Sequence, residues 1–234
     1  MIDGKTILGI IPARGGSKRL PNKNILDLNG KPLVAWTVEA GLKSKYIDRL
    51  MVSTDSIEIA EISKKYGAEI PFIRSVELAS DTTTTTDVVI HTINYYKTIL
   101  NKSFDFIILL QPTSPLRNSL DIDSAIEFLI NKAADSIISV SVCEYSPLWS
   151  NTLSDNLSMK NFINEDLLNK RSQDLPQYYR LNGAIFICNT VKFIEEKTFF
   201  LKDNLFAYIL GINKSIDIDT KDDFDFAKYL LSKK

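Results

Sequence analysis

Four cationic side chains and two adjacent glycines crowd into Pro12-Ala13-Arg14-Gly15-Gly16-Ser17-Lys18-Arg19-Leu20-Pro21-Asn22-Lys23-Asn24. Glycine lets backbone N–H groups come close to a ligand and converge into an anion-binding concavity. Arg14, Lys18, Arg19 and Lys23 add charge and donors matched to phosphate oxygens. The chemistry to expect is capture of a polyphosphate, most simply a nucleoside triphosphate. Two better-known phosphate motifs are absent. Gly4-Lys5-Thr6 lacks the first glycine of a Walker A loop, and no G-x-G-x-x-G follows the first apolar run. A solvated surface turn is the competing reading of the basic loop taken alone.

A second group lies far along the chain, in Ser215-Ile216-Asp217-Ile218-Asp219-Thr220. Strand alternation would put Asp217 and Asp219 on one face and the isoleucines on the other. Two carboxylates so close repel unless a cation lies between them. Mg²⁺ prefers hard oxygen ligands and takes one or two carboxylates together with phosphate oxygens. The pair therefore suggests metal-assisted chemistry at phosphorus, although Asp219 could equally cap a helix beginning near Lys221. Leu109-Leu110-Gln111-Pro112-Thr113-Ser114-Pro115-Leu116-Arg117 supplies Gln111, a two-way hydrogen bonder suited to a base edge or a sugar hydroxyl, in a loop stiffened by two prolines. Arg74 with Glu77-Leu78-Ala79-Ser80-Asp81-Thr82 offers small hydroxyl residues for a nucleoside pocket and is weak evidence alone.

These groups need a scaffold. Ile7–Ile11, Arg49–Thr54, Ile70–Ile73, Phe104–Leu110, Ser136–Val142 and Gly183–Cys188 read as strands. Lys31–Lys43, Ile57–Tyr66, Asp87–Leu100, Asp121–Lys132 and Lys221–Leu230 read as helices, with Asp55 and Ser119 or Asp121 as caps. The alternation predicts an α/β fold, a largely parallel sheet with helices on both faces and ligands beyond the carboxyl ends of its strands. The stretch from Cys143 to Arg180 breaks the rhythm. It reads as an excursion from the sheet, with a function such as dimer contact or substrate cover.

The 234 residues, 44% of them hydrophobic, allow one large domain with a full core. A net charge of −1 argues against nucleic acid as the main partner. No apolar run is long enough to cross a bilayer, and no basic-then-apolar leader opens the chain. Cys143 and Cys188 read as free thiols of a reducing, cytoplasmic compartment, and the single histidine, His91, as a helix-surface residue.

Taken in order, IIPARGGSKRLPNKN, VSTDS, ELASDT, LLQPTSPLR, LPQYYRLNGAIF and SIDIDT resemble the acylneuraminate cytidylyltransferases nearly end to end. The related enzymes that activate an eight-carbon sugar acid share the basic loop and the sheet, but less of the later motifs. The resemblance implies a three-layer Rossmann-like nucleotidyltransferase fold over residues 1–234, with 143–180 as an inserted dimerisation and substrate-cover segment. It implies transfer of CMP from CTP to the anomeric hydroxyl of a nine-carbon nonulosonic acid, with release of pyrophosphate, and a homodimer. Asp217 and Asp219 would hold Mg²⁺. Arg14 and Lys23 would neutralise the triphosphate and the departing pyrophosphate. Ala13, Gly15, Gly16, Ser17, Asn24, Arg74 and Ser80 would line the nucleotide site, and Gln111, Tyr179, Arg180 and Asn182 the sugar site, with Arg180 receiving the carboxylate. Two departures stand out: Ser172 where relatives often carry arginine, with Arg171 one residue earlier, and the threonine run Thr82–Thr86. A transferase for the eight-carbon acid and a non-catalytic nucleotide-binding module are the alternatives, and intact Asp217 and Asp219 argue against the second.

Overall fold

Ile7-Leu8-Gly9-Ile10-Ile11 is apolar on both sides of the chain, and in the computed structural model, which describes residues 1–75, 77–80 and 82–233, both of its faces are covered. It forms β1 (Ile7–Pro12). The chain continues through α1 (Leu33–Leu42), β2 (Arg49–Ser53), α2 (Ile57–Lys65), α3 (Thr85–Thr98), β3 (Phe106–Leu109), α4 (Ser119–Asn131), β4 (Ser136–Val142), β5 (Tyr179–Asn189), α5 (Thr190–Glu196), β6 (Leu205–Ile209) and α6 (Lys221–Leu231). Among the described residues the strands form one sheet in the order β2-β1-β3-β5-β4-β6. The pairs β1/β2, β1/β3 and β4/β6 are parallel, while β5 runs antiparallel to both β3 and β4. The sheet is thus mostly parallel with one reversed strand.

Alternate residues of the strands feed two cores. Ile7, Ile11, Val52, Ile108 and Ile137 pack with Val34 and Val38 of α1, Ile59 of α2 and Ile126 of α4. Leu8, Ile10, Met51, Ile107 and Ile138 pack on the other face with Val89 and Ile93 of α3 and Phe193 of α5. The result is the expected helix–sheet–helix layering.

The structure departs from the sequence reading in several places. Ile70–Ile73 is not a strand. Only Glu69 bridges to Met51, because Pro71 has no N–H to give a ladder. Asp55 does not cap α2. Ser56 does, accepting from the Ile59 N–H at 3.3 Å. Asn118 caps α4, in a reciprocal box with Asp121. Residues 215–219 belong to no strand or helix. His91 is half-buried and meets the Phe72 ring edge-on at 4.6 Å rather than standing on an open surface. Both cysteines are free, as expected.

Cys143–Tyr178 leaves the sheet at the end of β4 and returns at the start of β5, where the Cys143 N–H meets the Tyr178 carbonyl at 2.9 Å. It contains three short 3₁₀ turns, Pro147–Trp149, Glu165–Leu167 and Ser172–Asp174, and no residue from 145 to 177 is buried.

Candidate active site

The basic loop and the acidic pair lie far apart in sequence, and a small core of their own draws them together. Leu20 of the loop and Ile218, the residue between the two aspartates, are buried with Leu28, Leu33 and with Phe224 and Ala227 of α6. Burying each of two such side chains contributes roughly 1.5–3 kcal/mol. That contact sets Lys23 against the acidic segment. Its Nζ donates to the Ile218 carbonyl at 2.5 Å and to Asp219 Oδ1 at 3.1 Å. The Arg19 guanidinium reaches Asp219 Oδ2 at 3.1 Å.

A third segment joins them. The Ile218 N–H donates to the Thr113 carbonyl at 2.9 Å, and the Thr113 hydroxyl donates to Gln111 Oε1 at 3.4 Å. Around this junction lies a cleft of about 560 Å³ at the carboxyl ends of β1 and β3, with walls from Arg14, Ser17, Lys18, Arg19, Lys23, Asn24, Arg74, Thr83–Thr85, Gln111, Thr113 and Asp219.

The positive character of this cleft comes from side chains rather than from the expected backbone nest. Ala13 is fully buried and its N–H goes to the Ser53 carbonyl at 2.9 Å. The Gly15 N–H donates to Asp55 Oδ1 at 2.9 Å, and the Ser17 N–H turns back to the Gly15 carbonyl at 3.0 Å. Those donors are occupied, so Ala13 and Gly15 shape the loop, and Gly16 is likewise not among the residues lining the cleft. Asn24 is buried and its amide donates to the Arg14 carbonyl at 2.9 Å, which fixes the loop's curvature. Arg74 is 8% exposed and donates to the Ser53 carbonyl at 2.7 Å. Burial pushes its pKa below the ordinary guanidinium value. Ser80 is exposed and bonds to the Thr82 and Thr83 hydroxyls, so Thr83 meets the cleft and Ser80 stands behind it. Asp81 lies outside the described residues.

Asp217 stands on the opposite side of Gln111. Removal from bulk water raises its pKa, and the charge of Asp219 pushes the same way, against the Thr113 hydroxyl and Lys23. Asp217 is nonetheless solvent-exposed as a residue, so its loss of hydration is partial and not that of a sealed core. Gly183 is the near neighbour. It sits at φ +70°, where a side chain is strained, and a Cβ there would lie 3.6 Å from both Asp217 Oδ2 and Gln111 Nε2. β5 reaches this shape through an irregularity. Its register with β4 shifts between the Ile138↔Phe186 and Val140↔Leu181 pairs, so the residues 182–185 bulge opposite Ser139.

Asn182, expected to touch substrate, lies behind that surface. It is 1% exposed, accepts from the Ser139 hydroxyl at 2.6 Å and donates to the Ser215 hydroxyl at 3.0 Å. It therefore fastens β4 and β5 to the segment that carries the aspartates. Tyr179 and Arg180 open β5 at the cleft end of the sheet, exposed and half-exposed respectively. Arg180 is paired bidentately with Glu144 and lies within reach of the Asp217 charge.

Arg117, outside the residues expected at the site, holds the floor from below. It is 1% exposed and donates to the Gln111 carbonyl at 3.3 Å, the Ala184 carbonyl at 2.9 Å and the Thr37 hydroxyl at 2.8 Å. With its charge removed from water, its pKa is pushed down to about 10. The one signal for it in the sequence is a cation ending a run that is otherwise apolar or proline-stiffened.

Comparison with known proteins gives the chain's family. A cytidylyltransferase family profile matches residues 8–229. A CMP-N,N'-diacetyllegionaminic acid synthase of Legionella pneumophila is 39% identical over 232 residues, 96% of each chain. A pseudaminic acid cytidylyltransferase of Campylobacter jejuni is 36% identical over 223 residues, 95% of each. Among solved structures, a CMP:2-keto-3-deoxy-manno-octonic acid synthetase complexed with CTP superposes with a TM-score of 0.71 over 97% of this chain and 99% of that one, at 17% identity, a likeness of fold. With a family profile running through every segment that meets at the cleft, the chain belongs to the cytidylyltransferase family and is a CTP-dependent nucleotidyltransferase.

Proposed function

We propose that the chain transfers CMP from CTP to the anomeric hydroxyl of a nine-carbon nonulosonic acid and releases pyrophosphate. The observation that supports this reading is the junction of Lys23 with Ile218 and Asp219, which brings Asp219 to the wall of the cleft that the cationic loop lines, with Asp217 two residues before it in the chain. Both relatives named above act on nonulosonic acids by their names.

The triphosphate lies against Arg14, Lys18, Arg19 and Lys23. Their charge stabilises the negative charge that builds on the departing pyrophosphate, the main lever of phosphorus transfer. Arg74, Asn24 and the Thr83–Thr85 hydroxyls face the nucleoside, and Gln111 stands between nucleotide and sugar. The anomeric oxygen attacks the α-phosphorus as the bond to the β,γ-unit breaks. Arg180 receives the acceptor's carboxylate.

Asp217 and Asp219 fit a divalent cation. They are all-oxygen donors one residue apart, and Asp217 is desolvated and repelled by its neighbour, a strain that a cation relieves. Asp217 and Asp219 would hold Mg²⁺, which would supply positive charge to the phosphate oxygens and favour loss of the attacking hydroxyl's proton. In the structure described, Lys23 and Arg19 balance Asp219; phosphate oxygens entering the cleft compete for those same cations and free the carboxylate for metal.

The excursion, residues 143–180, is proposed as a dimer contact that covers the partner's sugar site. Tyr145, 81% exposed, and Leu157, 71% exposed, suit contact with a second copy better than water. Among the described residues no helix is long and apolar enough to cross a membrane, and the free thiols fit a reducing cytoplasm.

The test is pyrophosphate release from CTP and Mg²⁺ across N-acetylneuraminate, legionaminate, pseudaminate and an eight-carbon 3-deoxy-ulosonic acid. Release with a nine-carbon acid supports the reading. Release only with the eight-carbon acid moves the substrate class, and release with none, from folded protein, rejects it.

A further inference from the structure

We propose that Glu144 is a positioning residue for the acceptor's carboxylate, acting through Arg180. The inference rests on the reading that Arg180 receives that carboxylate. Arg180 Nε donates to Glu144 Oε2 at 3.1 Å and Nη2 donates to Glu144 Oε1 at 2.7 Å. Two parallel bonds of this kind fix the plane of a guanidinium, which a single bond does not. They use one edge of the fork. The other edge, Nη1 with the second N–H of Nη2, has no hydrogen-bond acceptor among the described residues and is left for a second carboxylate.

Glu144 is well placed to act as a brace. The two strands are paired up to Ser141↔Arg180 and Val142↔Tyr179, and the Cys143 N–H bonds to the Tyr178 carbonyl at 2.9 Å. The Glu144 backbone follows directly on that paired rim. The pair itself is solvent-exposed, at 38% and 42% for the two side chains. Exposed ion pairs contribute little to stability, so stability does not account for this geometry and orientation does. A second carboxylate competes for Arg180: the charge of Asp217 reaches it. Without Glu144 the guanidinium is drawn toward Asp217 and away from an incoming acid. Glu144 thus keeps the cation that recognises the sugar acid apart from the carboxylate that belongs to the phosphate end.

Two measurements decide the matter. The first reads Arg180 directly and needs no turnover. Modification of Arg180 by phenylglyoxal, quantified on its peptide, is compared in wild type and Glu144→Ala without substrate. A rate at least threefold faster in the variant supports the brace, and an equal or slower rate overturns it. The second compares KM values with N-acetylneuraminate, CTP and Mg²⁺. Glu144→Ala should raise KM for the acid about threefold to fivefold, the upper range for an exposed pair, with KM for CTP unchanged and partial recovery in Glu144→Gln, which keeps one acceptor. A lower KM for the acid in Glu144→Ala would mean that Glu144 merely occupies the carboxylate's place, and overturns the proposal. Absence of turnover in the wild type rejects the parent reading instead, and the labelling rates still decide whether Glu144 orients Arg180.

Discussion

The walls of the cleft and the excursion are built in opposite ways. In and beneath the cleft, several side chains are tied to distant parts of the chain: Lys23 to Ile218, Asn182 to Ser215, Arg117 to Ala184 and Thr37. Between residues 145 and 177 no residue is buried, and the hydrogen bonds reach no further than from Asn151 to Phe162, a separation of 11. The first region is organised before any ligand arrives. The second has only local structure, so whatever it does for the sugar must come from something that packs on it. The half of the site proposed to hold the nucleotide is thus built within one chain, and the sugar half is proposed to be completed by two.

The hardest way to break the cleft is to remove Asp217. Asp217→Ala should lower kcat for pyrophosphate release by at least about 10²-fold, the scale for losing one preorganised charge-stabilising group, with the fold retained by circular dichroism. Residual activity near that of wild type would remove Asp217 from the metal site. Next comes Arg117. Arg117→Met leaves the Gln111 and Ala184 carbonyls and the Thr37 hydroxyl without their donor and should cost about 2–4 kcal/mol in denaturant unfolding; an undiminished midpoint would show that the site's floor does not need it.

Asp217 also sets a pH dependence of stability. Partial loss of hydration raises its folded pKa above the ordinary carboxylate value, so the folded protein keeps that proton to higher pH than the unfolded chain does. Ionising Asp217 therefore removes stability as pH rises through the window between those two values. Asp217→Asn should melt higher than wild type at neutral pH, with the gap closing below the ordinary carboxylate range. A gap that persists in acid would point to packing instead. The smallest effect belongs to the excursion. Leu157→Ser should change unfolding free energy by less than about 0.5 kcal/mol while shifting the species seen in sizing experiments from dimer toward monomer. A wild-type monomer at concentrations where it is active would remove the contrast altogether.

Much of this was legible in the sequence because it follows from local pattern. The apolar runs of β1 and β3 read as strands covered on both faces, and the basic loop and paired aspartates stood out by residue type as the groups for which phosphate and metal chemistry is proposed. What was hidden depended on the fold. Nothing in Gly183–Cys188 says that β5 runs backward, since strand direction is set by what flanks it in space. The backbone donors of Ala13 and Gly15 were expected at the ligand, but their partners, Ser53 and Asp55, come from β2 and its end. Asn182 sits beside Arg180 in the motif, yet the bulge turns it inward. α5 and β6 went unread although signals were present: Asn189 as a helix cap, and Leu205-Phe206-Ala207-Tyr208-Ile209 between Asn204 and Gly211. β6 is a half-exposed edge strand, so its apolar run lacks the two-sided cover that made β1 stand out.

The reversal of β5 has one more consequence. Because it pairs antiparallel with β4, the long arm between them departs and returns through adjacent backbone positions, Val142 facing Tyr179. Such an arm is a hairpin whose stem is already zipped. Its tip can be lengthened, shortened or exchanged without moving either strand, so the surface proposed here to cover the acceptor sugar is free to vary while the sheet that frames the cleft stays put.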